Sequence, residues 1–155
     1  MTPRSHARAR LVLALIAMVC AGALPARAQK IDSLALRLHM PRDKSVDAVV
    51  AAFAQSGLTV TNTTTSLVES DQGSLPTFGG KTQRIVRAVL FGADSTTTVV
   101  MTGDEIRMND DGSLLRRLRI DNRAGGNGGK VWKRMVAAAL MLDSASVPEA
   151  AREKP

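Results

Sequence analysis

The residues best able to do chemistry in this 155-residue chain lie in its last third. Ala124-Gly125-Gly126-Asn127-Gly128-Gly129-Lys130 precedes an apolar segment of helical period. A glycine run at a helix N-terminus can cradle phosphate through backbone N–H groups. The nucleotide-binding form needs glycine first and serine or threonine after the lysine, to hold the metal. Here Ala124 and Val131 occupy those places, and the preceding segment is arginine-rich. The run therefore reads as flexible loop over 122–129.

A second group is acidic: Asp104, Glu105, Asp110 and Asp111. Calcium needs six or more oxygens from a defined loop. Around Gly112 that pattern would put an acid or amide at 107, where Arg107 stands. Paired carboxylates can also act as acid and base on a glycoside, but no aromatic platform accompanies these. Asp110-Asp111-Gly112 reads instead as a turn. His39 and His6 are the two histidines, Cys20 is the one cysteine, and no G-x-S-x-G occurs. Three-ligand zinc chemistry and a serine triad lack their residues. Asn62-Thr63-Thr64 fits a glycosylation acceptor, which matters only in a eukaryotic secretory pathway. No catalytic residue, metal site or cofactor is expected.

The third group is basic. Arg116, Arg117, Arg119, Arg123, Lys130, Lys133 and Arg134 face a single acid, Asp121, within 114–134, a local charge of +6. Such a patch suits anionic headgroups, an acidic wall polymer or an acidic protein. It is the candidate partner-binding surface. With three phenylalanines, one tryptophan and no tyrosine, the chain is poor in stacking platforms for nucleic acid.

The compartment follows from the other end of the chain. Arg4, Arg8 and Arg10 lead an apolar run from Leu11 to Leu24, then Pro25 and Ala26-Arg27-Ala28. These are the basic, apolar and cleavage regions of an export signal. The apolar run is shorter than the ~20 residues a membrane span needs. The mature chain is expected to start at Gln29, with no transmembrane span, in a periplasm or outside the cell. Removing 1–28 takes four arginines and no acid, so 17 basic residues face 14 acidic ones. The formal charge falls from +7 to +3, which weakens the case for a nucleic-acid partner. The mature chain holds no cysteine, so neither a disulfide framework nor a thiol nucleophile is expected. Arginine outnumbers lysine 15 to 6, as in GC-rich bacterial genes.

These groups need a scaffold. Leu34, Leu36, Leu38 and Met40 alternate with Ala35, Arg37 and His39, a half-buried strand. Asp43 is placed as an N-cap and Gly57 as a C-cap for a helix over 44–56, with Val46, Val49, Val50 and Phe53 on one stripe. Leu58–Val68 reads as a strand, and Glu69–Lys81, with Gly73, Pro76, Gly79 and Gly80, as a long connection. Thr82–Phe91 is apolar on both faces, which suits a central strand. Ser95–Thr102 pairs with it, 105–108 extends the ladder, and Leu114–Ile120 makes an arginine-protected edge. Val131–Leu142 is a second helix, and 144–155 a disordered tail.

The order β-α-β-β-β-(β)-α predicts one α+β domain over 29–143. It is a two-layer sandwich: an antiparallel sheet of four to five strands with two helices on one face. In element order it is similar to the β-α-β(4)-α arrangement of TBP-like domains. The expected function is an exported, non-catalytic domain that binds an envelope protein or an anionic envelope surface. A small-molecule or lipid carrier ranks second, with Met101, Met108, Met135 and Met141 lining a pocket between sheet and helices. A hydrolase using the clustered carboxylates ranks third.

Overall fold

Leucine alternation sets the first strand. In β1 (Ser33–Leu38) only Leu34, Leu36 and Leu38 are buried. The computed structural model describes residues 29–152 apart from 78, 79 and 94. The expected export signal, 1–28, and the last three residues lie outside the described residues.

Helix α1 (Arg42–Gln55) starts two residues before the expected 44. Pro41 takes the N-cap position and makes no side-chain cap. Asp43, expected there, sits in the first turn, where a carboxylate meets the positive end of the helix. Val46, Val49, Ala52 and Phe53 form the buried stripe. The helix stops at Gly57, whose φ is +79°. Gly57 N–H donates to Ala54 O at 3.1 Å and Leu58 N–H to Phe53 O at 2.8 Å. This paired closure satisfies two terminal carbonyls. It also returns Leu58 to the core beside Phe53, both buried.

The remaining strands are β2 (Val60–Thr63), β3 (Leu67–Thr77), β4 (Gly80–Ala93), β5 (Thr96–Met108) and β6 (Leu114–Ile120). All pair antiparallel in the order β1-β5-β4-β3-β2, with β6 also on β5. Thr102 of β5 faces Ser33, and the next residue, Gly103, faces Ile120. β6 and β1 therefore lie end to end along one side of β5. Among the described residues the sheet has six strands, more than the four to five expected.

The extra strand arises because 58–68, read above as one strand, turns back after Thr63, with Thr64 N–H donating to Leu67 O at 2.8 Å, and β3 then runs on from Leu67 into 69–77, read above as connection. β3 runs through it because a bulge between Asp71 and Ser74 absorbs Gly73, whose N–H donates to Asp71 Oδ1 at 2.8 Å. Pro76 is tolerated because β2 pairs β3 only as far as Ser70. Beyond that point β3 is an edge, where a missing N–H costs no ladder bond.

Helix α2 (Gly126–Asp143) starts five residues before the predicted Val131. Its first turn is the glycine run, expected as a flexible loop. Gly128 and Gly129 are buried, and a Cβ on Gly129 would lie 2.4 Å from Ala124 O. The glycine serves close approach rather than flexibility. Val131, Trp132, Met135, Val136, Ala138 and Ala139 face the sheet and α1.

The expected disordered tail is instead folded through Arg152. A 3-10 turn (Ser144–Ser146) and a short helix, α3 (Glu149–Arg152), bury Val147 and Ala151 in the core. Trp132 Nε1 donates to Ala151 O at 3.1 Å. Asn122, also buried, completes the closure. Its side chain receives Ile31 N–H at 3.0 Å and donates to Gln29 O and Ala150 O at 2.9 and 3.1 Å. The result is a mixed α+β fold, both long helices on one face of the sheet and one core between the layers.

Candidate functional site

Period two decides what each side of the sheet carries. On β4, Val86, Ala88 and Leu90 enter the core under the helices, while Ile85, Arg87, Val89 and Phe91 take the other face. On β5, Val99 and Met101 enter the core, and Thr98, Val100, Thr102 and Asp104 take the other face. Among the described residues, no helix packs on that second face. Across its middle runs a row of Ala35, Val100, Val89 and Leu67, each opposite the next in register. Phe91, 55% exposed, lies beside it.

An ion-pair network occupies the same face. Asp104 has a side chain only 4% exposed and is met by three guanidinium groups. Arg117 Nη2 lies 2.5 Å away, Arg87 Nη1 3.3 Å and Arg119 Nη1 3.4 Å. Arg87 also pairs with Glu69 at 2.6 Å. Asp71 receives Gln83 Nε2 at 2.5 Å. The Asp104 hydrogen bond, then its charge, raises the Arg117 pKa further above its ordinary value. Asp104 is thus buried under arginines, Glu69 and Asp71 are partly covered by Arg87 and Gln83, and the exposed charges of the face are Arg37, Lys81, Arg117 and Arg119. Ile85 is buried on this face without joining the core between the layers.

The seven cations read as one patch are divided by the fold. Arg117 and Arg119 reach the helix-free face. Arg116 faces Arg107 across the β5–β6 ladder on the other side. Arg123 sits in the turn before α2, its N–H donating to Asp121 Oδ1 at 2.9 Å. Lys130 and Arg134 border a cleft between α2 and the sheet, and Lys133 lies on the opposite flank of α2, beside Trp132 and Arg152. Arg37 and Arg87 were missed by clustering along the sequence, and Asp104 was grouped with acids it does not join. Their signal was the strand alternation that puts odd-numbered β1 and β4 residues and even-numbered β5 residues on one face.

The rival constellations do not assemble. Asp104 and Glu105 point to opposite faces of β5, Glu105 being held by Arg84 at 2.9 Å and Arg107 at 3.1 Å. Asp110 and Asp111 lie exposed in the β5–β6 turn. The Ser113 hydroxyl, then its N–H, holds the Asp111 carboxyl below the usual carboxylate range. Met101 and Met135 are fully buried core, Met108 ends β5 and Met141 is exposed, so the four methionines line no common pocket. His39 is exposed just past β1. Among the described residues no group of three His, Cys, Asp or Glu side chains is placed to hold a metal. Among them, too, no helix is long and apolar enough to cross a membrane.

Comparison with models of known protein families and with curated proteins finds no match.

Proposed function

We propose that this protein is an exported, non-catalytic binding domain whose helix-free sheet face captures an acidic component of the cell envelope, either a protein segment or an anionic surface. One observation carries the reading: that face buries Asp104 under arginines, partly covers Glu69 and Asp71, and exposes Arg37, Lys81, Arg117 and Arg119 around a partly covered apolar row. An acidic partner would gain charge-assisted hydrogen bonds from guanidinium groups already fixed by Asp104. The apolar row adds contact area that water now wets. Export rests on the basic, apolar and small-residue order of 1–28.

The test is affinity capture from an envelope extract at two salt concentrations, with R117A/R119A and R37E beside the parent. Arg87 remains to hold Asp104 in the double variant, and Arg37 lies outside the network. Capture that falls at least tenfold in both variants, and falls with salt in the parent, supports the reading. Capture unchanged in both removes it. N-terminal sequencing of the exported chain should return Gln29; an uncleaved chain retained in the cytoplasm would remove the export claim.

A further inference from the structure

The cleft on the opposite side of the sheet is chemically distinct. It lies between the N-terminal half of α2 and the far ends of β3 and β4, with a volume of about 180 Å3. Among the described residues that line it are Gln72, Arg84, Asn127, Lys130 and Arg134, with Leu75 and Val131 as the apolar part. Three of these are cations and none is a carboxylate.

The cations are oriented rather than loose. Arg84 Nε is pinned to Glu105 at 2.9 Å, and its side chain is only 12% exposed. Glu105 is shared with Arg107, so it offsets one of the two guanidinium charges and not both. Arg134 Nη1 donates to Gln72 Oε1 at 2.7 Å, and Gln72 Nε2 donates to the buried Ser70 Oγ at 2.6 Å. The Arg134 guanidinium lies against Gly57, where a Cβ would sit 3.5 Å from its Nε. The β3 bulge begins immediately at Gln72 and leaves its amide on the helix side. A chain of Ser70, Gln72 and Arg134 thus fixes one guanidinium over the cleft, and Glu105 fixes another at its floor.

We propose that this cleft binds a phosphoryl group. Two guanidinium forks and an ammonium around a cavity without a carboxylate fit a tetrahedral dianion better than a single carboxylate. Their mutual repulsion is relieved when the dianion enters. The volume is ample for phosphate's five heavy atoms, since one water needs about 10–15 Å3 of such space. Leu75, 47% exposed, gives an apolar wall against which the ester substituent of a phosphomonoester or a lipid headgroup would lie. The site is independent of the helix-free face, because the sheet separates them.

The test is amide-resolved NMR titration with inorganic phosphate against chloride at equal ionic strength, beside flotation with phosphatidic acid vesicles. Saturable shifts at Gln72, Lys130 and Arg134 are expected, weakened at least tenfold in K130Q/R134Q and retained in R117A/R119A. K130Q alone, at an exposed position, keeps the test readable if the double variant does not fold. Phosphate binding without flotation assigns the site to soluble phosphate or a phosphomonoester. Flotation that phosphate competes away, and that K130Q reduces, assigns it to a lipid headgroup. No shift at tens of millimolar phosphate together with no flotation overturns the proposal. So does flotation lost only in R117A/R119A, which would leave the helix-free face as the anionic surface.

Discussion

Arg117 does not face Asp104 across the β5–β6 ladder; Arg119 does. Arg117 faces Ile106 and reaches diagonally to place its Nη2 2.5 Å from Asp104 Oδ2. Diagonal contacts of this kind are within reach of long side chains on one sheet face. The register brings two of the three arginines of β6 onto one carboxylate of β5, and Arg87 of β4 makes the third partner.

Asp104→Asn should therefore cost stability and also alter the face. The amide would leave three arginines around a neutral, buried group. Because Arg117 and Arg119 are 53% and 40% exposed, water takes up part of their charge. The expected loss is about 1–3 kcal/mol, read by urea denaturation, with a greater sensitivity to low salt than the parent shows. A loss near zero at low salt would mean that the network contributes nothing to folding.

Deleting residues 144–155 should destabilise the domain rather than trim a loose end. Val147 and Ala151 leave the core, and Trp132 loses its acceptor at Ala151. Burial of this size contributes about 2–4 kcal/mol. Trp132 is the only tryptophan, so its emission should shift to longer wavelength in the folded truncation. An unshifted spectrum and unchanged denaturation midpoint would contradict the docking of this segment.

Local sequence held some of this and lacked the rest. The Leu34/Leu36/Leu38 alternation and the Gly57 stop act over a few residues, so both were readable. Gly73 and Pro76 signalled a connection because nothing local reveals that a bulge and an unpaired edge accommodate them. The division of the basic patch depends on strand parity at 116, 117 and 119 and on the turn into α2. The role of Asp104 depends on pairing between β5 and both neighbours, a long-range register that clustering along the chain does not see. Residues 144–152 looked too polar to fold. Two small apolar side chains suffice there because Asp143, Arg152 and Asn122 satisfy the surrounding polar groups.

Acid should loosen that same segment. Asp143 Oδ1 accepts Ala145 N–H at 3.0 Å, and its other oxygen accepts the Ser146 hydroxyl. The Ser146 hydroxyl bond, ahead of the backbone donors, holds the Asp143 carboxyl below the usual carboxylate range. A depressed folded-state pKa contributes stability that is present above the unfolded value and lost as pH falls through the folded one. Asp143→Asn should thus be less stable than the parent at neutral pH. The gap should close between about pH 5 and pH 2. A gap that stays constant across that range would show that the charge of Asp143 is not what matters.

Gly129→Ala tests whether the glycine run is structural. The added methyl would sit 2.4 Å from Ala124 O, a backbone atom that cannot swing aside. Overpacking of this kind costs about 1–3 kcal/mol. Gly125→Ala is the control, since a Cβ there meets nothing within 4 Å, and it should stay within about 0.5 kcal/mol of the parent. Equal effects at the two positions would return the run to the status of a loop.

Asn122 is the point at which both ends of the described chain are tied to the sheet. Its amide oxygen takes Ile31 N–H, its nitrogen serves Gln29 O and Ala150 O, and its own N–H donates to Ile31 O at 2.9 Å. Asn122→Ala keeps the last of these and strips the other three. Leaving polar groups unpaired costs about 1–3 kcal/mol, and here they lie on the segments at either end of the described chain. Hydrogen exchange should therefore quicken at Ile31 and Ala151 while the amides of β4 stay protected. Asn122→Asp discriminates geometry from donor count: its carboxylate still accepts Ile31 N–H but cannot donate to Gln29 O or Ala150 O. The aspartate variant should protect Ile31 and expose Ala151, whereas uniform exchange at both would mean that Asn122 acts only by filling space.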